Sequence, residues 1–515
     1  MRFSIFLLAI LSSIHILGQK NQTYGGSHDD ISKKVIYDNK GFFYTVGNTS
    51  SSGITDTTYG DSDAWVLKMD SNLNIVWSKA YGGNNYDIFN DFTIINDKLY
   101  CVGFTLSDSG DIVFNHGNAD FWLAVIDTSG NLLFDSCYGG QEGQIAFSIL
   151  QYPDSHLIIS GISKDSTGQI STHFGSYDFW IIEVDTLGNL IREKSIGGPG
   201  YDYLTSSALL PDGNIIFAGI TTTPNGAFNN YHGGMDGAAA CIDSNWNSKY
   251  QMCYGESNSD RINKIYVKNI DTVLFTGFSI SSSSSAYGSD DAVIWQINRY
   301  GYLTDSRLYG GNYEDKANDI IMDTDSTYLI IGETKSYAGL LKQNFGENDV
   351  FVFQTDLSLN PLKINNYGGS ENDMGIGIFK HNDSSIVIFA NTQSNDIQVP
   401  FNHGYYDLWI LDTVFLTNTT SVNKNSYIES KITVFPNPAE SGAEIFLKGL
   451  SPKTRNYELH IYNPQGQLIS NKRFTANISK NIQLPPLPAG IYYLRLTNEN
   501  KDIFTYKFII ARGDY

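Results

Sequence analysis

The chain of 515 residues is poor in cysteine, in basic residues and in long apolar runs. Four cysteines, Cys101, Cys137, Cys241 and Cys253, are too few for a dense disulfide framework, and their spacing matches no zinc pattern. After the first 18 residues, no apolar run approaches the roughly 20 residues that a membrane-spanning helix needs. Lys and Arg number 34 against 54 Asp and Glu, a formal net charge of −20. This balance argues against a nucleic-acid partner and leaves divalent cations or cationic surfaces open as partners.

Catalytic signatures are also lacking. The sequence has no His-Glu-x-x-His, phosphate-loop or Ser-His-Asp pattern, so we predict no catalytic residue and no metal ligand. The segment from Asp70 to Asn74 resembles half of a calcium loop but lacks its central Gly and final Glu, and a hairpin turn explains it better. We therefore expect no cofactor, with calcium left open.

The cysteines have two interpretations. Cys241 and Cys253 flank one predicted hairpin turn, where a disulfide could join them across it. Alternatively, all four are small buried apolar residues. The sequence leaves both open.

The first 18 residues read as a secretory signal peptide. Arg2 precedes the apolar run Ile5–Leu11, and Gly18 is a plausible cleavage point. The residue directly after that point is Gln19 and not a cysteine, which argues against a lipid anchor there. The sequence predicts an exported protein.

A repeat of 55 to 58 residues fills the region from residue 19 to 415. Three landmarks count the same seven units. The first is a Tyr-Gly-Gly triplet or its variant at positions 24, 81, 138, 196, 254, 309 and 367. The second is a Gly three residues before Asp63, Asp120, Asp178, Asp236, Asp291, Asp349 and Asp407. The third is a Gly at 47, 103, 161, 219, 277 and 332, with Ala390 in the seventh place.

Each unit contains four short strand patterns separated by Asn, Asp and Gly turns, with no helical periodicity. Four antiparallel strands repeated seven times predict an all-β fold, a seven-bladed β-propeller. The seventh unit loses the pattern after its third strand, at Leu408–Leu411. We therefore expect residues 19–25 to add the missing fourth strand and close the ring.

The seven signature aspartates have two interpretations. Both Gly-containing signatures fall in connections that share one face of a propeller, where a ring of carboxylates could bind cations or ligand. Alternatively, Gly permits tight turns and Asp accepts hydrogen bonds from nearby amides. We favour the structural role, because a residue that a ligand needs once would not be repeated in every blade.

Other repeated positions also point to packing. The third Gly falls where inner strands crowd together. Trp65, Trp122, Trp180 and Trp409 share one strand position, and we expect them to pack between blades.

Asymmetry is the better guide to function. The loops between the second and third strands differ in every blade, and such loops usually carry binding specificity. They span residues 50–59, 106–116, 163–174, 221–232, 279–285, 335–345 and 392–403. The expected channel-side residues are a mixed polar set: Lys34, Asp91, Ser148, Ser206, Lys264, Asp319 and Gly377. No residue of the chain is predicted as a ligand contact.

After a linker at 416–430, a different module occupies residues 431–515. Its short alternating strands predict a small, Ig-like β-sandwich. Pro436-Asn437-Pro438, the Asn463-Pro464-Gln465-Gly466 turn and the Leu487–Leu496 strand with Gly490 resemble the type A sorting domain of the type IX secretion system, found in Bacteroidetes. That resemblance implies the type IX secretion machinery as a partner, and release or display at the cell surface.

The seven units resemble a bacterial β-propeller repeat family, which implies the fold and little about activity. We expect a secreted or cell-surface, non-enzymatic propeller that binds another macromolecule or a glycan. The alternative is a secreted propeller enzyme, a glycoside hydrolase or lyase acting on polysaccharide.

Overall fold

The structure is a computed structural model, and the chain divides into two compact units at residues 417 and 418. It describes residues 20–415 without 56–57, 154–155, 225, 281–287 and 382–384, and then 433–435, 441–442, 444–448, 456–463, 467–475, 479–498 and 501–510. The predicted signal peptide, the linker and the Pro436-Asn437-Pro438 motif lie outside these residues.

The first unit is a seven-bladed β-propeller, as predicted, and each blade is a four-stranded antiparallel sheet. Blade one contains β2 (Asp30–Tyr37), β3 (Phe42–Thr49), β4 (Asp63–Asp70) and β5 (Ile75–Tyr81). Blade two contains β6 (Asp87–Ile95), β7 (Lys98–Thr105), β8 (Asp120–Asp127) and β9 (Leu132–Tyr138). Blade three contains β10 (Gln144–Tyr152), β11 (His156–Ser163), β12 (Asp178–Asp185) and β13 (Leu190–Ile196). Blade four contains β14 (Asp202–Leu209), β15 (Ile215–Thr221), β16 (Asp236–Ile242) and β17 (Ser248–Tyr254).

The remaining blades follow the same plan. Blade five contains β18 (Asp260–Asn269), β19 (Thr272–Ser279), β20 (Asp291–Ile297) and β21 (Leu303–Tyr309). Blade six contains β22 (Asp315–Thr324), β23 (Thr327–Thr334), β24 (Asp349–Asp356) and β25 (Pro361–Tyr367). Blade seven contains β26 (Asp373–Lys380), β27 (Ser385–Thr392), β28 (Asp407–Val414) and, from the start of the chain, β1 (Asn21–Tyr24).

Ring closure by the N-terminal strand is confirmed. β1 pairs antiparallel with β28, with Asn21 opposite Leu411 and Tyr24 opposite Leu408. The Asn21 side chain accepts a hydrogen bond from Trp409 Nε1 at 2.7 Å. Backbone pairing therefore covers the edge that β28 would otherwise expose.

The inner strands carry a bulge where the second strand carries its Gly. In blade one the register shifts between Ser32 and Lys34, and a side chain on Gly47 would come within 1.8 Å of the Ile31 carbonyl oxygen. Only a residue without a side chain permits this close approach. In blade seven, Ala390 takes the Gly position opposite Gly375.

The apolar cores lie between neighbouring blades. The four tryptophans are fully buried, and Trp180 of blade three packs on Phe121 of blade two with ring centroids 4.5 Å apart. Their predicted packing role is confirmed. The middle strands are buried on both faces because each blade lies between two others.

All four cysteines are free thiols. Cys241 lies opposite Tyr250, whereas Cys253 lies opposite Ala238. The two cysteines also belong to different hydrophobic clusters. They do not face each other, so the disulfide alternative is excluded. The buried-thiol interpretation holds for Cys101, Cys241 and Cys253, whereas Cys137 is only partly buried.

The hairpin at Asp70 is a tight turn. The Asp70 carboxylate accepts hydrogen bonds from the amides of Asn72 (2.9 Å) and Asn74 (2.8 Å), and Leu73 has a φ of 62°. The carboxylate thus fixes the hairpin between β4 and β5.

The second unit is a small β-sandwich. Its strands are β29 (Thr433–Phe435), β30 (Glu444–Lys448), β31 (Asn456–Tyr462), β32 (Leu468–Thr475), β33 (Ser479–Gln483), β34 (Gly490–Asn498) and β35 (Lys501–Ile510). They form the sheets β29-β30-β33 and β32-β31-β34-β35. Ile445 and Leu447 from the first sheet share a core with Leu459 and Leu494 from the second.

Candidate functional site

The two signature loops meet on one face of the propeller, which we call the loop face. This face is formed by the connections between the second and third strands of each blade and the connections between successive blades. The two kinds of connection adjoin, because the Asp87 amide donates to the Ser62 carbonyl at 2.8 Å. The predicted common face for both signatures is confirmed.

The first Asp of each inner strand is the centre of a buried hydrogen-bond network. In blade six, Asp315 accepts from the Gly311 amide (2.7 Å), from the Thr334 hydroxyl and from the Ser336 hydroxyl (2.9 Å). The Asp315 side chain is fully buried, and burial raises its pKa to about 7. Blades one, two and seven repeat this network around Asp30, Asp87 and Asp373.

Blade three shows that an amide can take this position. Gln144 replaces the Asp, and its Oε1 accepts from the Gly140 amide at 2.9 Å. The carboxylate moves to Asp165, in the place of the Ser, and accepts from Gln144 Nε2 at 3.3 Å. The network thus depends on the hydrogen bonds rather than on the charge at one position.

The signature aspartates at the start of the third strands are buried, and six of them are bonded to their own loops. Asp120 Oδ2 accepts from the amide of His116 at 2.8 Å, and Asp178 Oδ2 accepts from the amide of Phe174 at 2.6 Å. The same contact, to the amide four residues earlier, occurs at Asp63, Asp236, Asp349 and Asp407. These hydrogen bonds support the turn-fastening interpretation.

The first Gly of six opening triplets packs against the same aspartates, whereas Gly255 packs against Asp260. A side chain on Gly197 would come within 2.0 Å of Asp178 Oδ1, and one on Gly25 would come equally close to Asp407 Oδ1. Burial raises the pKa of both carboxyls. In these six triplets the Gly and the Asp therefore pack as one unit, where the connection between two blades meets the start of a third strand.

Histidines cap four of these aspartates on the loop face. The Nδ1 atoms of His116, His173 and His403 lie 2.6–2.7 Å from the carboxylate, and that of His232 lies 3.2 Å away. The imidazoles are partly exposed, whereas the carboxylates are fully buried. The imidazoles thus add polar groups to the surface of the loops, while the carboxylates remain buried and hydrogen-bonded.

The predicted channel residues divide into charged and neutral groups. The structure brings Lys34 and Lys264 together, with Asp91 and Asp319 beside them. Burial lowers the pKa of Lys34, but the two carboxylates outweigh it, so that pKa lies above its usual value. The charge of Lys34, together with burial, lowers the pKa of Lys264.

This cluster joins opposite sides of the ring, because the two lysines belong to blades one and five. Asp91 is held in place by the amides of Phe92 (2.9 Å) and Ile149 (3.1 Å). The neutral members Ser148 and Ser206 instead lie near blade contacts, where Ser207 donates to Ser148 at 2.8 Å. The charged side chains of this cluster therefore meet within the channel.

Exposed aromatic residues cluster on the loop face. Phe114 and Tyr337 are each 62% exposed, and Tyr405 is 64% exposed. Others on the same connections are Tyr59, Tyr86, Phe174, Tyr313 and Phe401. The Tyr313 and Tyr337 rings are 5.3 Å apart and come from different connections. Most of the fifth loop, at 281–287, lies outside the described residues.

Several partners in these networks were missed in the sequence. The Thr and Ser that serve each inner Asp follow a Gly-x-Thr-x-Ser pattern, as in Gly103–Ser107, Gly332–Ser336 and, with Ala in place of Gly, Ala390–Ser394. Its recurrence was the available signal. The exposed aromatic residues have no fixed spacing, so no sequence pattern pointed to them.

The described residues contain neither a membrane-spanning helix nor a metal-binding cluster. No helix there is long and apolar enough to cross a membrane. No group of three or more His, Cys, Asp or Glu side chains in that part of the chain is arranged to hold a metal ion.

The fold thus defines a β-propeller followed by a β-sandwich module. Residues 433–511 match the family described as the secretion system C-terminal sorting domain. This match confirms the predicted sorting module. Gly490 of the predicted sorting motif opens β34. The chain is exported through the type IX secretion system to the cell surface or the extracellular space.

One curated relative is an endo-acting ulvan lyase from Formosa agariphila. The two are 31% identical over 90 residues, which cover 18% of this chain. The chain spans 17% of the length of that lyase.

The solved structures that resemble this chain are distant. The extracellular domain of a putative hybrid two-component system from B. thetaiotaomicron is 10% identical, with a TM-score of 0.33, over 94% of this chain and 55% of that one. A fungal alcohol oxidase in complex with copper is 12% identical, with a TM-score of 0.39, over 96% and 100%. Synechocystis apocarotenoid oxygenase is 11% identical, with a TM-score of 0.40, over 72% and 88%.

Proposed function

We propose that this protein is a non-enzymatic binding protein of the cell surface or extracellular space, and that the loop face of its propeller binds a glycan or another macromolecule. The observation that carries the proposal is the set of exposed aromatic residues on the loop face. Aromatic side chains supply much of the contact area in binding sites, because they bury a large surface with few rotatable bonds. They come from loops that differ in every blade, on a scaffold that is otherwise repeated.

The carboxylates of the loop face support binding rather than turnover. Polysaccharide hydrolysis needs a pair of carboxyl groups that flank the scissile bond. The signature aspartates are buried and accept hydrogen bonds from their own loops. In this arrangement they hold the loops in place, and the aromatic side chains face the ligand.

The test is an array of glycans and surface proteins probed with the purified mature protein. Phe114→Ala and Tyr337→Ala should each weaken binding about tenfold or more, as expected for aromatic contacts in the centre of an interface. Tyr300→Ala is the matched control, because Tyr300 is equally exposed but lies in the turn between β20 and β21, away from the loop face. Equal loss in the control and the loop variants would contradict the proposal.

The alternative is a secreted enzyme acting on polysaccharide. The similarity to part of a polysaccharide lyase is the observation that favours it. Incubation of the mature protein with acidic and neutral polysaccharides, followed by sizing of the products, distinguishes the two. Chain shortening that the wild-type protein catalyses repeatedly would replace the binding proposal with the enzymatic one.

A further inference from the structure

At one position of the inner strands, next to the mouth of the channel, the type of residue differs between the blades. The residue after the first Asp or Gln of each inner strand is apolar in four blades: Ile31, Ile88, Ile145 and Met374. In blades four, five and six it is Tyr203, Arg261 and Lys316. Because the inner strands surround the channel and begin at the loop face, these three residues lie at the mouth of the channel on that face.

Aromatic rings extend outward from this position. The Tyr203 and Tyr201 rings are stacked nearly parallel, with centroids 5.9 Å apart and an interplanar angle of 9°. Tyr177, from the loop before β12, meets Tyr201 edge-on at 5.1 Å. All three tyrosines are partly exposed. We call these rings, together with Arg261, the tyrosine–arginine cleft.

Arg261 is the cation of this cleft, and its charge has no counterion in the described part of the chain. Its guanidinium carbon lies 5.8 Å from the centroid of the Tyr203 ring. Its Nε is buried and has no hydrogen-bond partner among the described residues. Lys316, the cation of the next blade, is paired with Glu333 at 3.2 Å.

This pairing difference selects Arg261 as the recognition group. Because Nε is closed off from solvent, an acceptor on a ligand would be bound by the two terminal nitrogens of the partly exposed guanidinium. The planar guanidinium matches a carboxylate, to which it can donate two parallel hydrogen bonds. In a chain of net charge −20, an uncompensated Arg in a cleft is a local site for an anion.

The neighbouring rings indicate what carries that carboxylate. The parallel rings of Tyr201 and Tyr203 offer π faces, and Tyr177 adds an edge-on ring beside them. The C–H groups on one side of a sugar ring carry the partial positive charge that a π face attracts. A peptide C-terminus would instead be held by a nest of backbone N–H groups. The combination favours a sugar that bears a carboxylate.

We propose that the tyrosine–arginine cleft binds a uronic acid unit of an acidic polysaccharide, with Arg261 on the carboxylate and the tyrosine rings along the sugar. This inference rests on the proposed binding function and adds its ligand class. The ligand is bound without any covalent change.

The test uses titration calorimetry of the mature protein with oligomers of galacturonic, glucuronic and mannuronic acid. Each oligomer is compared with its carboxyl-reduced, neutral form. At least one acidic oligomer should bind. Its reduced form should bind with an affinity at least about tenfold lower, because a charge-assisted hydrogen bond is lost. Arg261→Gln should produce a similar loss. Arg261→Lys should recover only part of the affinity, since it keeps the charge but not the fork.

Two further variants act as controls. Lys316→Gln should leave the affinity unchanged, because Lys316 is already paired. Tyr201→Ala should weaken binding of the acidic and the reduced oligomers alike, because it removes stacking and not charge recognition. Thermal melts establish that each variant is folded.

The outcomes separate this inference from the proposed function. Equal affinity for acidic and reduced oligomers, or no effect of Arg261→Gln, would overturn the uronate site while leaving glycan binding in place. Displacement of a bound oligomer by a peptide with a free C-terminus, but not by its amidated form, would reassign the cleft to peptide. If no oligomer binds while the loop face still captures a protein on the array, the uronate site fails and the broader function stands.

Discussion

The phenolic hydroxyl of Tyr24 donates a hydrogen bond of 2.5 Å to the carbonyl oxygen of Leu73. Tyr24 ends β1 in blade seven, and Leu73 lies in the turn between β4 and β5 of blade one. The same bond links successive blades elsewhere in the ring, from Tyr81 to Gly130, Tyr138 to Gly188, Tyr254 to Gly301 and Tyr309 to Leu359. In these five triplets the Tyr thus joins its blade to the next.

Removal of this link should lower the stability of the propeller. Tyr24→Phe and Tyr81→Phe should each reduce the free energy of unfolding by about 1 kcal/mol, the typical contribution of one hydrogen bond. Deletion of residues 20–23 should cost more, because it also exposes the edge of β28 and removes the bond between Asn21 and Trp409. Urea denaturation measures both effects. A deletion variant with an unchanged midpoint would refute closure by β1.

Stability should fall as the pH rises from 5 to 8. Burial raises the pKa of Asp315 and of Asp349 to about 7, and the Asp373 charge adds to the shift at Asp349. Burial also raises the pKa of Asp202, Asp260 and Asp373 to about 6. A carboxyl that binds its proton more tightly when folded stabilises the protein below its unfolded pKa, and this contribution is lost as the pH rises through the folded pKa. Denaturation midpoints at a series of pH values measure the loss.

The matched variant for this prediction is Asp315→Asn. An amide is compatible with the inner-strand position, as Gln144 shows in blade three, and it does not titrate. Asp315→Asn should therefore reduce the loss of stability between pH 5 and 8. Asp127→Asn is the control, because hydrogen bonds from Asn131 lower the pKa of that exposed carboxyl. A steeper pH dependence in the Asp315 variant would contradict the assignment.

Calcium should leave the melting temperature unchanged. If the signature aspartates fasten turns, Asp120→Ala and Asp178→Ala should each lower stability by about 1 kcal/mol, with similar effects in the two blades. A ring that bound cations would instead be stabilised by millimolar calcium through preferential binding to the folded state. The measurement is a thermal melt with calcium and with chelator. A rise of several degrees, abolished by Asp→Asn changes, would establish a cation site.

The sorting domain should be dispensable for folding and required for delivery. A chain that ends at Phe415 should melt like the propeller of the full protein yet stay inside the outer membrane of its native host. Phe415 must be kept, because its ring is fully buried and its carbonyl accepts from Lys363. A chain ending at Val414 should therefore melt lower. Normal surface delivery of either chain would contradict the role of the sorting domain.

The repeat made the fold predictable. A turn, a crowded strand and a buried Trp each produce a weak signal, but the signal recurs at one spacing in unit after unit. Ring closure was predictable from the number of strands, because the seventh unit lacked its fourth strand and one extra strand preceded the first unit. The sorting module was recognisable because its Gly490 strand and its turns are specific.

Contacts between blades were not predictable in the same way. Lys34 and Lys264 are 230 positions apart, and only the curvature of the ring brings them together. The Tyr203–Arg261 contact also depends on how blades four and five pack against each other. Side chains that break a repeat are visible in the sequence, but their mutual geometry is not. The candidate ligand site consists of such residues.

The closing pair of strands also sets the order in which this protein can fold. Asn21 and Trp409 are 388 positions apart, so the first propeller strand to be synthesised finds its partner only after the last blade has been made. Contacts between such distant residues form slowly, because a long loop must close first. Until then, β1 has no partner and β28 has an open edge that can pair with other chains. Substitutions at either end of the propeller should therefore share one phenotype, delayed closure with aggregation. Because the sorting domain follows the propeller in the sequence, every strand of the ring has been synthesised by the time the sorting domain is complete.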